Sequence, residues 1–225
     1  GDFSVYSDIA RGCGKLLGFE LPKNFVGPMF AQSFKEMWTR WHITLSSFLR
    51  DYVYFPLGGS KGSSIRTDMN NLITMFIAGV WHGANWNYVV WGIVIGFSLM
   101  FERNILSHFK FWTESKTKFA IFFRFIVLGL FWFLLADIFR VATLSDLGLM
   151  ITNTFFWVKG EKILYEEFGY LCVLFIILHT LEYKPEILVT RVKRPVTAIV
   201  ISSIVFLFMM TALSNRQVQF FYFQF

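Results

Sequence analysis

The sequence predicts an all-α fold, a polytopic transmembrane helical bundle that also contains amphipathic and re-entrant helices. Composition is the first reason. Of the 225 residues, 55% are hydrophobic and 16% are charged, against about 25% charged in an average soluble domain. Aromatic content is the second, with 29 Phe and 8 Trp, side chains that pack helices in lipid and form interfacial belts. The third is the recurrence of apolar runs of near span length, at 119–139, 168–183 and 196–213. Mean hydropathy is +0.52. A soluble all-helical core is the competing reading, and the low charged fraction counts against it.

Residues 1–225 read as a single membrane domain. The chain starts on Gly1 in a polar, small-residue stretch without a signal-peptide pattern. It is expected to be the C-terminal part of a longer membrane domain whose N-terminal helices are absent from it. In residues 3–19, Gly12, Gly14 and Gly18 stand at spacings that suit close helix packing. Leu21 to Pro28 reads as a loop. Ser33 is a candidate N-cap with Glu36 three residues on, the pattern of a capping box.

A helix is expected from Phe34 to about Asp51. Phe34, Met37, Trp38, Trp41, Leu45, Phe48 and Leu49 recur at threes and fours and mark one apolar face. Lys35, Arg40 and Arg50 make it an interfacial amphipathic helix. Pro56 to Ser60 breaks it. A polar stretch from Lys61 to Asn71 follows, then apolar runs 72–80 and 86–101 around the break Trp81-His82-Gly83-Ala84-Asn85. Arg124, near the end of the run 119–139, is expected to snorkel.

Net charge is +6 and the isoelectric point near 9.4. The basic residues sit in loops between apolar segments, which argues for membrane topology and against nucleic acid. Loops 102–118 and 184–195 are rich in Lys and Arg and read as cytoplasmic, with 140–167 and the C-terminal tail outside. Both flanks of the His82 segment are then cytoplasmic, so one straight span would break the parity and a re-entrant path keeps it. Counted as a helix from Leu72, residues 72–82 rise about 16 Å, roughly half of a hydrocarbon core about 30 Å thick. Broken backbone at that depth is tolerated only where protein or a water-filled cavity surrounds it.

Two Trp-flanked histidines carry the candidate chemistry. His82 lies inside the apolar segment, where an ionisable side chain is expensive to desolvate and marks a functional site by default. An imidazole there can take a proton from a hydroxyl as that group attacks an acyl carbonyl. A structural histidine bonded to a neighbouring helix is the alternative. His42 sits at the edge of the amphipathic face and is either a second active residue or an interfacial one. Trp41, Trp81, Asn85 and Trp86 form a candidate pocket or tunnel wall. Arg50 and Asp51 either bind an anionic donor or pair with each other. His108 reads as solvated and His179 as packed. Cys13 and Cys172 lie far apart, and neither belongs to a metal-ligand spacing. No metal site is expected. There is no Gly-x-Ser-x-Gly elbow, Walker loop or dinucleotide fingerprint, which disfavours an ATP-driven transporter.

The runs FKEMWTRWHITLSSFLRDYVYFPLGGSKG and NNLITMFIAGVWHGANWNYVVWG resemble the bacterial membrane-bound O-acyltransferases, in particular the alginate O-acetylation branch. That branch shows F-W-R-R-W-H-I-S-L-S, R-D-Y-x-Y-I-P-L-G-G and W-H-G-A-x-W in this order. Tyr6 to Ala10 and the tail Phe221 to Phe225 resemble further segments of it. Met37 and Thr39 depart from the pattern, and the missing Arg makes a charge role at position 39 doubtful. Family members are about twice this length. The resemblance implies a ring of transmembrane helices around a tunnel crossing the bilayer, in a bacterial inner membrane. It implies His82 as the catalytic residue and His42 as the second essential one. It also implies acetyl-CoA as acyl donor with no bound cofactor, and acetylation of an exported polysaccharide. A periplasmic acetyltransferase-like partner or secretion complex would complete the transfer. D-alanyl transfer to teichoic acid is the nearest rival. A non-enzymatic transporter with His82 on a proton path, or a scaffold recruiting through 140–167, is the rival from another class.

Overall fold

The computed structural model describes residues 2–155, Ala142 excepted. The chain divides into two compact units, Gly1–Phe175 and Ile176–Phe225, and every described residue belongs to the first. The runs 168–183 and 196–213, the loop 184–195, the tail, Cys172 and His179 lie outside the described residues.

All regular structure among the described residues is helical. The helices are α1 (Asp2–Leu16), α2 (Phe34–Arg40), α3 (Ile43–Leu49), α4 (Ser64–Trp81), α5 (Trp86–Asn104), α6 (Lys110–Thr113), α7 (Lys118–Arg140) and α8 (Leu144–Phe155). Short 3₁₀ turns occur at Pro28–Phe30 and Leu106–His108, and a π-helical turn spans Arg50–Tyr54. Two segments of 23 residues, Trp86–His108 and Lys118–Arg140, are long and apolar enough to cross a membrane. At 1.5 Å per residue each reaches about 34 Å, sufficient for a core about 30 Å thick. The second coincides with the expected run 119–139.

The amphipathic segment is not one helix. It is broken at Trp41, which is extended, and His42, which is left-handed at φ 42°. Its continuation is the π turn after α3. Most of the expected apolar face survives the break, but Phe48 of α3 is exposed while Leu45 and Leu49 are buried. Phe34, Met37, Trp38, Leu45 and Leu49 are buried in one core with Met75, Ala78, Trp91 and Ile95 of the α4–α5 hairpin and with Leu128, Leu135 and Ile138 of α7. Ser33 caps α2 by accepting from the Glu36 N–H at 2.9 Å. The Glu36 carboxylate reaches back to the Gln32 N–H, one residue before the position a reciprocal box would use.

Most of the polar stretch 61–71 is helical, because α4 starts at Ser64 on the Ser63 cap. Its polar side chains are consumed by neighbours. Asn70 donates to the Gly59 carbonyl at 2.8 Å, fixing the Pro-Leu-Gly-Gly turn. Asp68 accepts from Arg103 Nε at 3.0 Å and from Asn104 at 2.8 Å. From Ser64, α4 rises about 27 Å before His82, and its apolar part from Leu72 accounts for about 16 Å of that rise.

The Asp68 bonds tie the first turns of α4 to the last of α5, so the two helices form a closed antiparallel hairpin with both open ends together. Cysteines at the exposed positions 63 and 107 are therefore expected to react with an impermeant maleimide from the same side of the membrane. Labelling from opposite sides would sink the hairpin reading.

Two buried polar groups join distant elements. Glu102 of α5 accepts from the Phe34 N–H at 3.0 Å, the Lys35 N–H at 2.8 Å and Trp112 Nε1 at 2.9 Å. A carboxylate at a helix N-terminus satisfies orphan donors and favours the helix dipole. Arg124 does not snorkel. It is buried, and its guanidinium donates to Gln32 and to the carbonyls of Phe111, Trp112 and Ser115 at 2.9–3.1 Å. Four bonds to four acceptors offset the cost of burying the guanidinium. Of the three glycines near the N-terminus, Gly14 of α1 packs against Leu21, while a Cβ on Gly12 of α1 or on Gly18 after it would meet nothing within 4 Å.

Candidate active site

The two motif histidines come from two helix breaks. Gln32, Ser33 and Glu102 fix the start of α2, and α2 ends at Arg40, whose carbonyl accepts from the Val26 N–H at 3.0 Å. The Ile43 N–H donates to the Asn24 carbonyl at 2.9 Å. The loop 24–26 thus runs beside 40–43 and holds the backbone of His42 in its left-handed conformation. That conformation costs a residue with a Cβ about 1–2 kcal/mol, and such strain clusters where function over-determines the backbone. His42 is the only non-glycine residue with positive φ among the described ones.

His42 Nδ1 lies 3.2 Å from Asn24 Oδ1. The same oxygen accepts from the Thr44 N–H at 3.1 Å and from Thr44 Oγ1 at 2.9 Å.

His82 closes α4 as its C-cap, with its N–H on the carbonyls of Gly79 and Val80. Gly83 follows at φ 147°, a backbone setting that only glycine adopts without strain, and Asn85 then starts α5. The His82 ring is partly buried in an aromatic surround. It stands edge-on to Trp81 at 4.9 Å, Trp91 at 5.0 Å and Phe139 at 4.9 Å, with Tyr88 at 6.1 Å. Phe139 is placed by Asn87, a buried residue whose Nδ2 reaches the carbonyls of Ile138, Phe139 and Val141 at 3.0–3.4 Å. These are end carbonyls of α7 without helical partners.

The sites meet at Trp81. Its ring lies 5.9 Å from His42 and 4.9 Å from His82, edge-on to both. Trp41 joins the group through Phe25, which is 4.9 Å from Trp41 and 6.2 Å from His42, and it packs on Trp132 at 4.3 Å. Trp81 is exposed in addition to its histidine contacts, and Asn85 and Trp86 are exposed at the start of α5. Arg50 and Asp51 sit on the exposed π turn and bind each other at 2.7 Å and 3.1 Å. That bond holds the Asp51 carboxyl below the usual carboxylate range and raises Arg50 further. His108 is exposed. No cluster of three His, Cys, Asp or Glu able to hold a metal occurs among the described residues.

Sequence reasoning missed Asn24, Tyr88, Asn87, Trp91 and Phe139. Asn24 had no periodicity or motif to mark it. Tyr88 and Trp91 lie in the second motif run, three residues apart on α5, and their spacing was the available signal.

Two imidazoles sharing one indole, one in a strained turn and one in an aromatic surround, place two groups able to accept a proton beside one partly exposed surface. Comparison with known proteins gives that arrangement a context. Residues 2–144 match the sequence profile of the membrane-bound O-acyltransferase family. The chain is 44% identical over 128 residues to a probable alginate O-acetylase of Pseudomonas aeruginosa, covering 57% of this chain and 25% of that protein. It is 39% identical over 132 residues to a peptidoglycan O-acetyltransferase of Helicobacter pylori, covering 57% and 25%. It is 34% identical over 124 residues to a teichoic acid D-alanyltransferase of Streptococcus thermophilus, covering 52% and 30%. The matched stretch therefore spans between a quarter and a third of these relatives.

Proposed function

The chain belongs to the membrane-bound O-acyltransferase family, and from that premise we propose that it carries the reacting histidines of an enzyme that O-acetylates an exported polysaccharide. The observation behind this reading is the meeting of His42 and His82 on Trp81. The relatives named for alginate and peptidoglycan acetylation match at higher identity than the D-alanyltransferase, which favours acetyl as the acyl group.

In this reading His82 is the general base. It takes the proton of the acceptor hydroxyl as that oxygen bonds to the acyl carbonyl carbon. The tetrahedral intermediate collapses and expels the thiolate of the donor, acetyl-CoA. The thiolate leaves as the thiol by recovering the proton from the imidazolium, and an ester remains on the acceptor. Proton transfer of this kind contributes about 10²–10⁴-fold. His42 engages the acceptor beside it. Trp81 holds both rings, and Trp41, Asn85 and Trp86 border the path. A ring of helices around a tunnel would deliver acyl groups from the cytoplasmic side of a bacterial inner membrane. A periplasmic acetyltransferase-like partner or secretion complex would then complete transfer to the polymer. The membrane domain would be multi-pass and would continue beyond this chain.

Base-released acyl groups from the exported polymer, separated by mass spectrometry in cells with and without the protein, are expected to show loss of acetate. Loss of D-alanine with acetate unchanged would replace this reading with the teichoic acid one. Loss of neither would leave transport or scaffolding.

A further inference from the structure

The bonds around Asn24 decide which nitrogen of His42 carries the proton. The Thr44 backbone N–H can only donate, so the Asn24 side-chain atom 3.1 Å from it is the carbonyl oxygen. The amide nitrogen then faces Ser7 Oγ at 3.4 Å. Thr44 Oγ1 gives its hydrogen to the same Oδ1 at 2.9 Å, so toward His42 Nδ1, 3.4 Å away, it can act only as an acceptor. His42 Nδ1, at 3.2 Å from Oδ1, therefore faces acceptors. Only a protonated Nδ1 makes a bond there. The neutral ring is the Nδ1–H tautomer, with its lone pair on Nε2.

We propose that Asn24 is a positioning residue that sets this tautomer, so that His42 accepts through Nε2 from a second O–H of the acceptor, beside the hydroxyl that gives its proton to His82. The proposal rests on the acyl-transfer reading above and narrows it. A neutral His42 so held has no N–H to offer an acyl carbonyl, and it pairs with a group that bears a proton. The Asn24 bonds to Ile43 and Thr44 also hold the left-handed turn that aims the ring. His82 stands across Trp81 from the ring; in the chain, the paired Arg40 and Glu36 of α2 precede His42, and Lys23 precedes Asn24.

The test is acyl transfer by the full-length protein in membranes, measured as a pH–rate profile at matched protein level. Asn24→Leu keeps the volume and removes the acceptor, and its rate is expected to fall roughly tenfold or more, within the range for a misplaced acid–base group. Asn24→Asp keeps the acceptor and adds a negative charge beside Nδ1–H. That charge favours the imidazolium, so the acidic limb is expected to move up by roughly one pH unit while transfer persists at higher pH. If transfer did not need a neutral His42, that charge would leave the limb in place. A wild-type rate and profile in Asn24→Leu, or an Asn24→Asp protein that is inactive or has an unmoved limb, overturns the proposal. His82→Ala in the same assay separates the two levels. If it stays active, the reading of His82 as the general base fails. If it is inactive while the Asn24 variants behave as wild type, only the role of Asn24 fails.

Discussion

His82→Ala is expected to abolish acyl transfer while leaving the protein at its normal level in the membrane. Two quantities support the separation. Loss of a general base costs about 10²–10⁴-fold in rate, equivalent to roughly 3–5 kcal/mol of barrier. Loss of the ring's packing is the smaller term. His82 is only partly buried, its backbone N–H bonds to Gly79 and Val80 persist in alanine, and Trp81, Trp91, Tyr88 and Phe139 can lean into the space. His42→Ala is expected to lower transfer as well. It also relaxes nothing in the backbone, since alanine meets the same left-handed φ of 42°. The measurement is ester-linked acetate on the exported polymer, with wild type and both variants compared at equal membrane abundance. Normal acetylation in His82→Ala would end the acyltransferase assignment of this histidine. Normal acetylation in both would move the argument to transport or scaffolding.

Local signals were legible in the sequence, and long-range ones were not. The Ser33 cap, the apolar face of residues 34–49 and the run 119–139 depend on residues within a turn or two of each other, and periodicity reports such things. The break at His42 depends on Asn24, whose bonds reach 18 to 20 residues along the chain. Propensity alone runs a helix straight through it. Glu102 holds the start of α2 from 67 and 68 residues away, and a carboxylate in the first polar loop after an apolar run reads as solvated. Arg124 was misread for the same reason. Its acceptors are the Gln32 side chain and carbonyls of α6 and of the turn after it. The histidines themselves were legible because tryptophan, glycine and asparagine around an imidazole are a poor recipe for a plain span. Their meeting on Trp81 was not, because the α4–α5 hairpin and the broken α2–α3 segment have to dock before it exists.

That docking depends on how closely α4 and α5 approach, which makes Gly79→Ala and Gly92→Ala the variants with the largest expected structural effect. A Cβ on Gly79 would collide with the backbone carbonyl of Tyr88, and one on Gly92 with that of Met75. Each glycine also lies with the other's Cα only 3.2 Å from where its Cβ would stand. The obstacles are helix backbone, so no rotamer change relieves them and the helices must separate. Overpacking typically costs about 1–3 kcal/mol, and a backbone collision at a helix crossing belongs at or above the top of that range. Separation would also shift Tyr88 and Trp91 away from His82, so transfer should fall together with stability. Gly12→Ala on α1 is the control, because a Cβ there meets nothing within 4 Å. In a helix interior that exchange is expected to be neutral or to stabilise by up to about 1 kcal/mol. Thermal unfolding of the detergent-solubilised protein would show it. Melting unchanged in Gly79→Ala would mean the hairpin is not packed this closely, and the aromatic surround of His82 would have to be rebuilt from other contacts.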